Sequence, residues 1–143
     1  MNAIILAGHR RDVRFVFKHF PLDTTCNPAI SRTLHPGACQ AAVVAECAHR
    51  QGRFRPFHDL LFEKGKNYRV DSLEEDARRF GLDVAQFQAC ISSGEGLQAV
   101  QQDIAEAGRL GLHNTPVYFI NGIRVDGLLT PATFEAMVEA LEE

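Results

Sequence analysis

Four cysteines and one Thr-Pro step hold the reactive potential of this 143-residue chain. A cysteine thiolate attacks disulfides and binds soft metals, so the spacing of Cys26, Cys39, Cys47 and Cys90 decides which chemistry is open. No two stand as C-x-x-C, so neither the dithiol redox motif nor a paired-knuckle zinc site is present. Cys26 and Cys39 bracket a twelve-residue stretch that leads into a helix start. Cys47 follows eight residues later on an alanine-rich segment and reads as a small buried hydrophobe. Cys90, three residues after Phe87 near a helix end, reads as structural too. The six histidines match no zinc spacing, so no metal is expected. His35 beside Pro36 reads as helix-entry chemistry, and His58 as a helix-surface residue.

The second chemical candidate is Thr115-Pro116 with Asn114 before it. Val117-Tyr118-Phe119-Ile120 is an apolar, β-branched and aromatic run, which reads as a buried strand. Asn121-Gly122 supplies the positive φ that a two-residue hairpin turn needs. Ile123-Arg124-Val125 alternates as a return strand should. A proline donates no hydrogen bond, so Pro116 belongs at the strand's beginning, where a cis X-Pro bond is cheap. Gly127 breaks the chain, and Thr130-Pro131 forms an N-cap with a first-turn proline. Phe134, Met137, Val138 and Leu141 then mark a closing amphipathic helix.

The rest of the chain has to position these groups. With 45% hydrophobic and 23% charged residues, it has the make-up of a soluble domain with its own core. A net charge of −3 gives no basic field for nucleic acid, and no apolar run is long enough to span a membrane. Asn2–Ala7, ended by Gly8 with His9, Arg10 and Arg11 behind it, reads as the back end of a helix. Val13–Lys18 reads as a strand, buried and parallel by its pattern. Thr24–Leu34 is a polar loop. Helices are expected from about Pro36 to Arg50 and around Phe54–Leu61. Another opens at a Ser72–Glu75 capping box, and the next at Asp83. Gly94 and Gly96 break that one, and a longer helix runs from Leu97 to near Gly111. Helices lying between a β-α-β half and a β-β-α half make an α/β layout with a helical insertion over about 36–111.

In this order and spacing the sequence resembles the DsbA-like thioredoxin-fold family of disulfide oxidoreductases. The matching pieces are Val13 through Leu22, His35-Pro36 opening the alanine-rich helix, and Phe54 through Phe57-His58-Asp59-Leu60-Leu61-Phe62. Gly81-Leu82-Asp83 with Phe87, the run Gly111–Gly122, and the closing helix also match. Leu22-Asp23-x-x-Cys26-Asn27-Pro28 with His35-Pro36-x-x-Cys39 is similar to a subgroup of exported members, some fused to vitamin K epoxide reductase-like membrane domains. The resemblance implies one thioredoxin-like domain over 1–143, an extracytoplasmic or periplasmic setting, and a Cys26–Cys39 disulfide. Two reduced thiols, or a pair that relays electrons, are the other readings of those cysteines. The resemblance also implies that Thr115 and cis Pro116 hold an extended substrate segment, with Asn114 standing where many relatives have glycine. No cofactor is implied, and the partners would be polypeptides carrying thiols or disulfides.

The departure from the family is as informative as the match. The family's C-x-x-C sits at the front of the first helix, where the helix N-terminus lowers a thiol pKa. In this sequence it would fall a few residues before Met1. Met1 is therefore expected to be an internal methionine, with true loss of the active site as the rival. In either case the catalytic residues are none of those in this chain, which is expected to be inactive by itself. The family's first strand would lie between the strands at Val13–Lys18 and Val117–Ile120. Without it, those two edges are expected to pair with each other or to build a homodimer. The functional readings are thus a thiol–disulfide oxidoreductase domain or a redox-inert thioredoxin-like module binding a peptide or partner. A kappa-type glutathione transferase would need a glutathione site that no residue of the chain identifies.

Overall fold

The computed structural model describes residues 14–68 and 72–141. The helix tail expected at Asn2–Ala7 and the first residue of the expected Val13–Lys18 strand lie outside that range. The chain divides into two compact units, His19–Gly111 and a second made of Met1–Lys18 with Leu112–Glu143.

The larger unit is helical. Its elements are α1 (Ala38–His49), α2 (Phe54–Lys64), a 3-10 turn (Gly65–Asn67), α3 (Leu73–Arg79), α4 (Val84–Ser92) and α5 (Glu95–Arg109). Alanines on one side of α1 let neighbouring elements come close, and Ala42, Ala45 and Ala48 are all buried. Val44, Cys47 and Ala48 of α1 meet Phe57, Leu73, Ala77, Leu82, Phe87 and Cys90 in the main core. Phe57 is fully buried, with its ring 5.3 Å from those of both Phe80 and Phe87. A smaller cluster joins Ala42 to Val100 and Ile104 of α5, with Cys26 and Val43 packed against it.

Helix starts show where local signals yield to tertiary demands. Helix α1 begins at Ala38, two residues after the expected Pro36, because Gly37 turns left-handed (φ 85°) ahead of it. The Ser72–Glu75 capping box does not form. Ser72 instead donates from Oγ to Asp76 Oδ2 at 3.1 Å, beside Lys64 Nζ at 2.9 Å. Asp76 is buried, and a buried carboxylate claims the nearest donors more strongly than an exposed helix N–H does. Asp83 does cap α4, accepting from the Gln86 N–H at 2.9 Å.

The expected chain break at Gly96 is corrected. Gly96 lies inside the first turn of α5, and its function is steric. A Cβ there would stand 2.6 Å from Cys47 Sγ and 3.1 Å from Val43 Cγ1. Glycine is what allows α5 to lie against α1. Gly96→Ala is expected to lower stability by about 1–3 kcal/mol, read from the midpoint of denaturant unfolding.

In the smaller unit, β1 (Val117–Ile120) and β2 (Ile123–Asp126) form an antiparallel hairpin. Asn121 (φ 48°) and Gly122 (φ 85°) fill its two-residue turn, the type I′ pattern that matches strand twist. Helix α6 (Pro131–Ala140) follows. Thr130 caps it by accepting from the Thr133 N–H at 3.1 Å. Phe134 and Val138 of α6 pack against Ile120.

The expected strand at Val13–Lys18 is corrected. Residues 14–18 belong to no strand or helix, although exposed Arg14, Val16 and Lys18 alternate with half-buried Phe15 and Phe17. Period-2 alternation encodes a pleat but does not name the neighbour that makes a pleat a strand. Among the described residues the only sheet is β1–β2, so direct pairing of the two flanking segments is not found.

Candidate functional site

The first candidate centre is the loop that carries Cys26. Its geometry is set by Asp23 and Asn27, both buried. Asp23 Oδ1 accepts from the Thr25 hydroxyl at 2.7 Å and the Thr25 N–H at 3.0 Å. Its Oδ2 accepts from the Gly37 N–H at 2.8 Å, which fixes the loop to the entry of α1. Asn27 donates to the Pro21 carbonyl at 2.8 Å and accepts from the Ala29 N–H at 3.0 Å. The far end is tied down by Leu34 and His35, whose N–H groups both reach the Leu22 carbonyl. This folded loop brings Cys26 to Cys39, and their sulfurs form a disulfide 2.06 Å long.

The Thr25 hydroxyl, followed by the Thr25 N–H, holds the Asp23 carboxyl below its usual range, and the Gly37 and Cys39 N–H groups add to this. Burial works in the opposite direction and is outweighed. Because the folded pKa is depressed, the stabilisation is present above the unfolded value, about 3.9, and is lost as pH falls through the folded value. The stability gap between the wild type and Asp23→Asn is therefore expected to be widest near neutral pH. It should shrink below about pH 4, as measured by unfolding across a pH series.

The bridge borders a groove of about 460 Å³. Cys26, Cys39 and Val43 form one part of its wall, and Ile91, Leu97 and Gln101 another. Cys26 is half-buried, whereas Cys39 is buried in the first turn of α1. The Cys39 sulfur also lies 3.3 Å from the Asp23 carbonyl oxygen.

The other two cysteines, which the sequence presents as separate structural residues, are joined. Cys47 on α1 and Cys90 on α4 form a second disulfide, 2.01 Å long, across 43 positions. It lies in the main core, with Cys47 1% and Cys90 7% exposed. The available signal is arithmetic: once Cys26 and Cys39 pair, an even count leaves these two for each other.

Asn114, Thr115 and Pro116 stand at the entry to β1. The Thr115–Pro116 peptide is cis, Asn114 and Thr115 are exposed, and Pro116 is half-buried. The Pro116 carbonyl accepts from the Gly127 N–H at 2.9 Å, continuing the ladder in which Val117 faces Asp126 and Phe119 faces Arg124. In an antiparallel ladder, hydrogen-bonded and non-bonded pairs alternate. Since Pro116 and Gly127 are a bonded pair, Tyr118 and Ile120 aim their peptide groups at β2. Thr115, Val117 and Phe119 aim theirs away from it. Among the described residues no strand pairs with that edge of β1, which is a row of outward donors and acceptors beginning at Thr115. Burial pushes the Tyr118 hydroxyl pKa up, keeping it neutral beside this edge.

The histidines lie elsewhere. His19 is buried, with its N–H on Asp103 Oδ2 at 2.9 Å and its Nε2 3.6 Å from Glu46. His58 stacks between Phe54 and Phe62 at 5.5 and 4.7 Å, so it is more than a surface residue. Among the described residues no group of three His, Cys, Asp or Glu side chains could hold a metal ion.

A family model described as thioredoxin matches residues 2–140. The chain therefore belongs to the thioredoxin family, and the six α-helices and two-stranded sheet among its described residues fit a thioredoxin-like α/β fold. It is 33% identical over 129 residues to a protein named Na(+)/H(+) antiporter NhaA from Herminiimonas arsenicoxydans, covering 90% of this chain and 19% of that one. Na(+)/H(+) antiporter NhaA 3 from Salinispora tropica is also 33% identical over 129 residues, or 90% of this chain and 18% of the relative. For Na(+)/H(+) antiporter NhaA 1 of Mycolicibacterium vanbaalenii the figures are 31% over 133 residues, 92% and 20%. The chain thus spans about a fifth of the length of these curated relatives. No solved structure matches.

Proposed function

We propose that this chain is the substrate-holding body of a DsbA-like thiol–disulfide oxidoreductase whose catalytic C-x-x-C is not among these 143 residues. The observation that carries this reading is the start of the β1 edge at Thr115. Thr115 is exposed ahead of the cis Thr115–Pro116 peptide and aims its peptide groups away from β2, as pairing with an extended substrate segment needs. A polypeptide carrying a thiol or disulfide is the partner such an edge fits, and no cofactor is required. Two disulfides suit an oxidising, extracytoplasmic compartment. Ion transport, named for the antiporter relatives, is not assigned to this chain, which spans about a fifth of their length.

Thr115→Pro tests the edge. It removes one outward N–H, and Thr115 lies ahead of β1, so the hairpin is expected to persist. Affinity for an extended peptide should fall about three- to tenfold, the worth of one hydrogen bond, as titrated by NMR. Unchanged affinity with the hairpin intact would contradict the edge-binding reading.

A second reading, a redox-inert binding module, rests on the same edge and on exposed Phe119 and Ile123 beside it. In this case the occupant is a partner strand, a second copy of the chain included, and a homodimer through the β1 edge is its simplest form.

A further inference from the structure

The geometry points to Cys26–Cys39 as an exchangeable disulfide, attacked at Cys26 by the thiol of an uncharged polypeptide segment lodged in the adjoining groove. This goes beyond the reading above, because it needs no C-x-x-C.

The two bridges of the chain are placed differently. Cys47–Cys90 lies within the main core. Cys26–Cys39 forms part of a groove wall, and its two residues differ in exposure. Cys26 is half-buried, whereas Cys39 is 7% exposed. Exchange requires a thiolate to reach one sulfur while the other leaves, so access selects Cys26 as the attacked atom and Cys39 as the leaving group.

The lining indicates the kind of thiol. Val43, Ile91 and Leu97 are apolar, and Gln40, Gln101 and Ser92 are polar but neutral. Among the described residues, no charged side chain lines the groove. Glutathione brings two carboxylates, which this lining leaves without a cationic partner. A neutral stretch of polypeptide can bury apolar side chains on Val43, Ile91 and Leu97 and bond its peptide groups to the glutamines and Ser92.

The step balances as follows. The polypeptide thiol loses its proton to water, and its thiolate attacks Cys26 Sγ. A new sulfur–sulfur bond forms to Cys26 as the Cys26–Cys39 bond breaks, and Cys39 leaves with the electron pair. Cys39 then takes a proton from water. The resulting S–H has an acceptor in place, since the Asp23 carbonyl oxygen lies 3.3 Å from that sulfur. A second thiolate from the same polypeptide then attacks its sulfur in the mixed disulfide and expels Cys26. The net result is one disulfide made in the polypeptide and one reduced in this chain, a transfer of two electrons.

The test mixes the oxidised chain with a neutral single-cysteine peptide, quenches by alkylation and maps each cysteine by mass spectrometry. The expected result is peptide on Cys26, alkylation of Cys39, and an intact Cys47–Cys90 bridge. Attack at Cys26–Cys39 should be at least about tenfold faster than at Cys47–Cys90, as access dictates. Glutathione run in parallel should react more slowly than the peptide. In a second arm, Cys39→Ser should capture an activated peptide disulfide at Cys26 at least about tenfold faster than Cys26→Ser captures it at Cys39. Peptide on Cys39, equal loss of both bridges, or exchange no faster than global unfolding would overturn the proposal. Glutathione matching the peptide would overturn the polypeptide assignment.

Discussion

Replacing Cys47 and Cys90 together by alanine is expected to lower stability by about 4 kcal/mol, from the loop-closure entropy of a cross-link spanning 43 positions. This bridge joins α1 to α4 through the main core, so the unfolded chain is strongly restricted by it. The Cys26–Cys39 bridge closes a loop of only 13 positions, and the same arithmetic gives about 3 kcal/mol for its removal. The order of the two losses is the informative part, because it follows from loop length alone. Denaturant unfolding of both double variants, without reductant, provides the comparison.

Phe57→Ala is expected to cost about 3–5 kcal/mol. The ring is fully buried and stands between Phe80 and Phe87, so truncation removes two aromatic contacts and leaves a cavity. Four helices, α1 to α4, and the turn after α3 meet in this cluster, and they cannot all close on the void. Phe57→Leu retains most of the volume and should recover the larger part of the loss. Both values come from the same unfolding measurement.

Several parts of the fold are legible in the sequence because the signal is local. Asp83 and Thr130 cap helices, and Asn121-Gly122 turns a hairpin, for reasons contained within a few residues. Where sequence and structure part, the cause is a distant partner. Ser72 gives up its cap for Asp76, which is buried and also held by Lys64 of another helix. Gly96 looks like a breaker because a sequence does not show the sulfur 2.6 Å from the missing Cβ. Residues 14–18 have the alternation of a strand but belong to none, because alternation alone does not set a ladder's register. At the candidate site, Thr115 and Pro116 are readable from strand and turn chemistry. The Cys47–Cys90 bridge is signalled only by the even cysteine count, since nothing near either cysteine in sequence marks the other. The groove beside Cys26 is hidden because its walls come from the Thr24–Leu34 loop, α1, α4 and α5.

The proposed function is thiol–disulfide exchange on polypeptides by a protein that holds this thioredoxin-like chain together with a C-x-x-C. The most direct measurement is the intact mass of the protein as its own cell makes it, with alkylation before and after reduction, followed by turnover of a disulfide-bonded test protein. The account predicts a mass above 15.9 kDa, at least two cysteines beyond Cys26, Cys39, Cys47 and Cys90, and turnover. A mass of 15.9 kDa with four cysteines and no turnover would contradict it and leave the peptide-binding module.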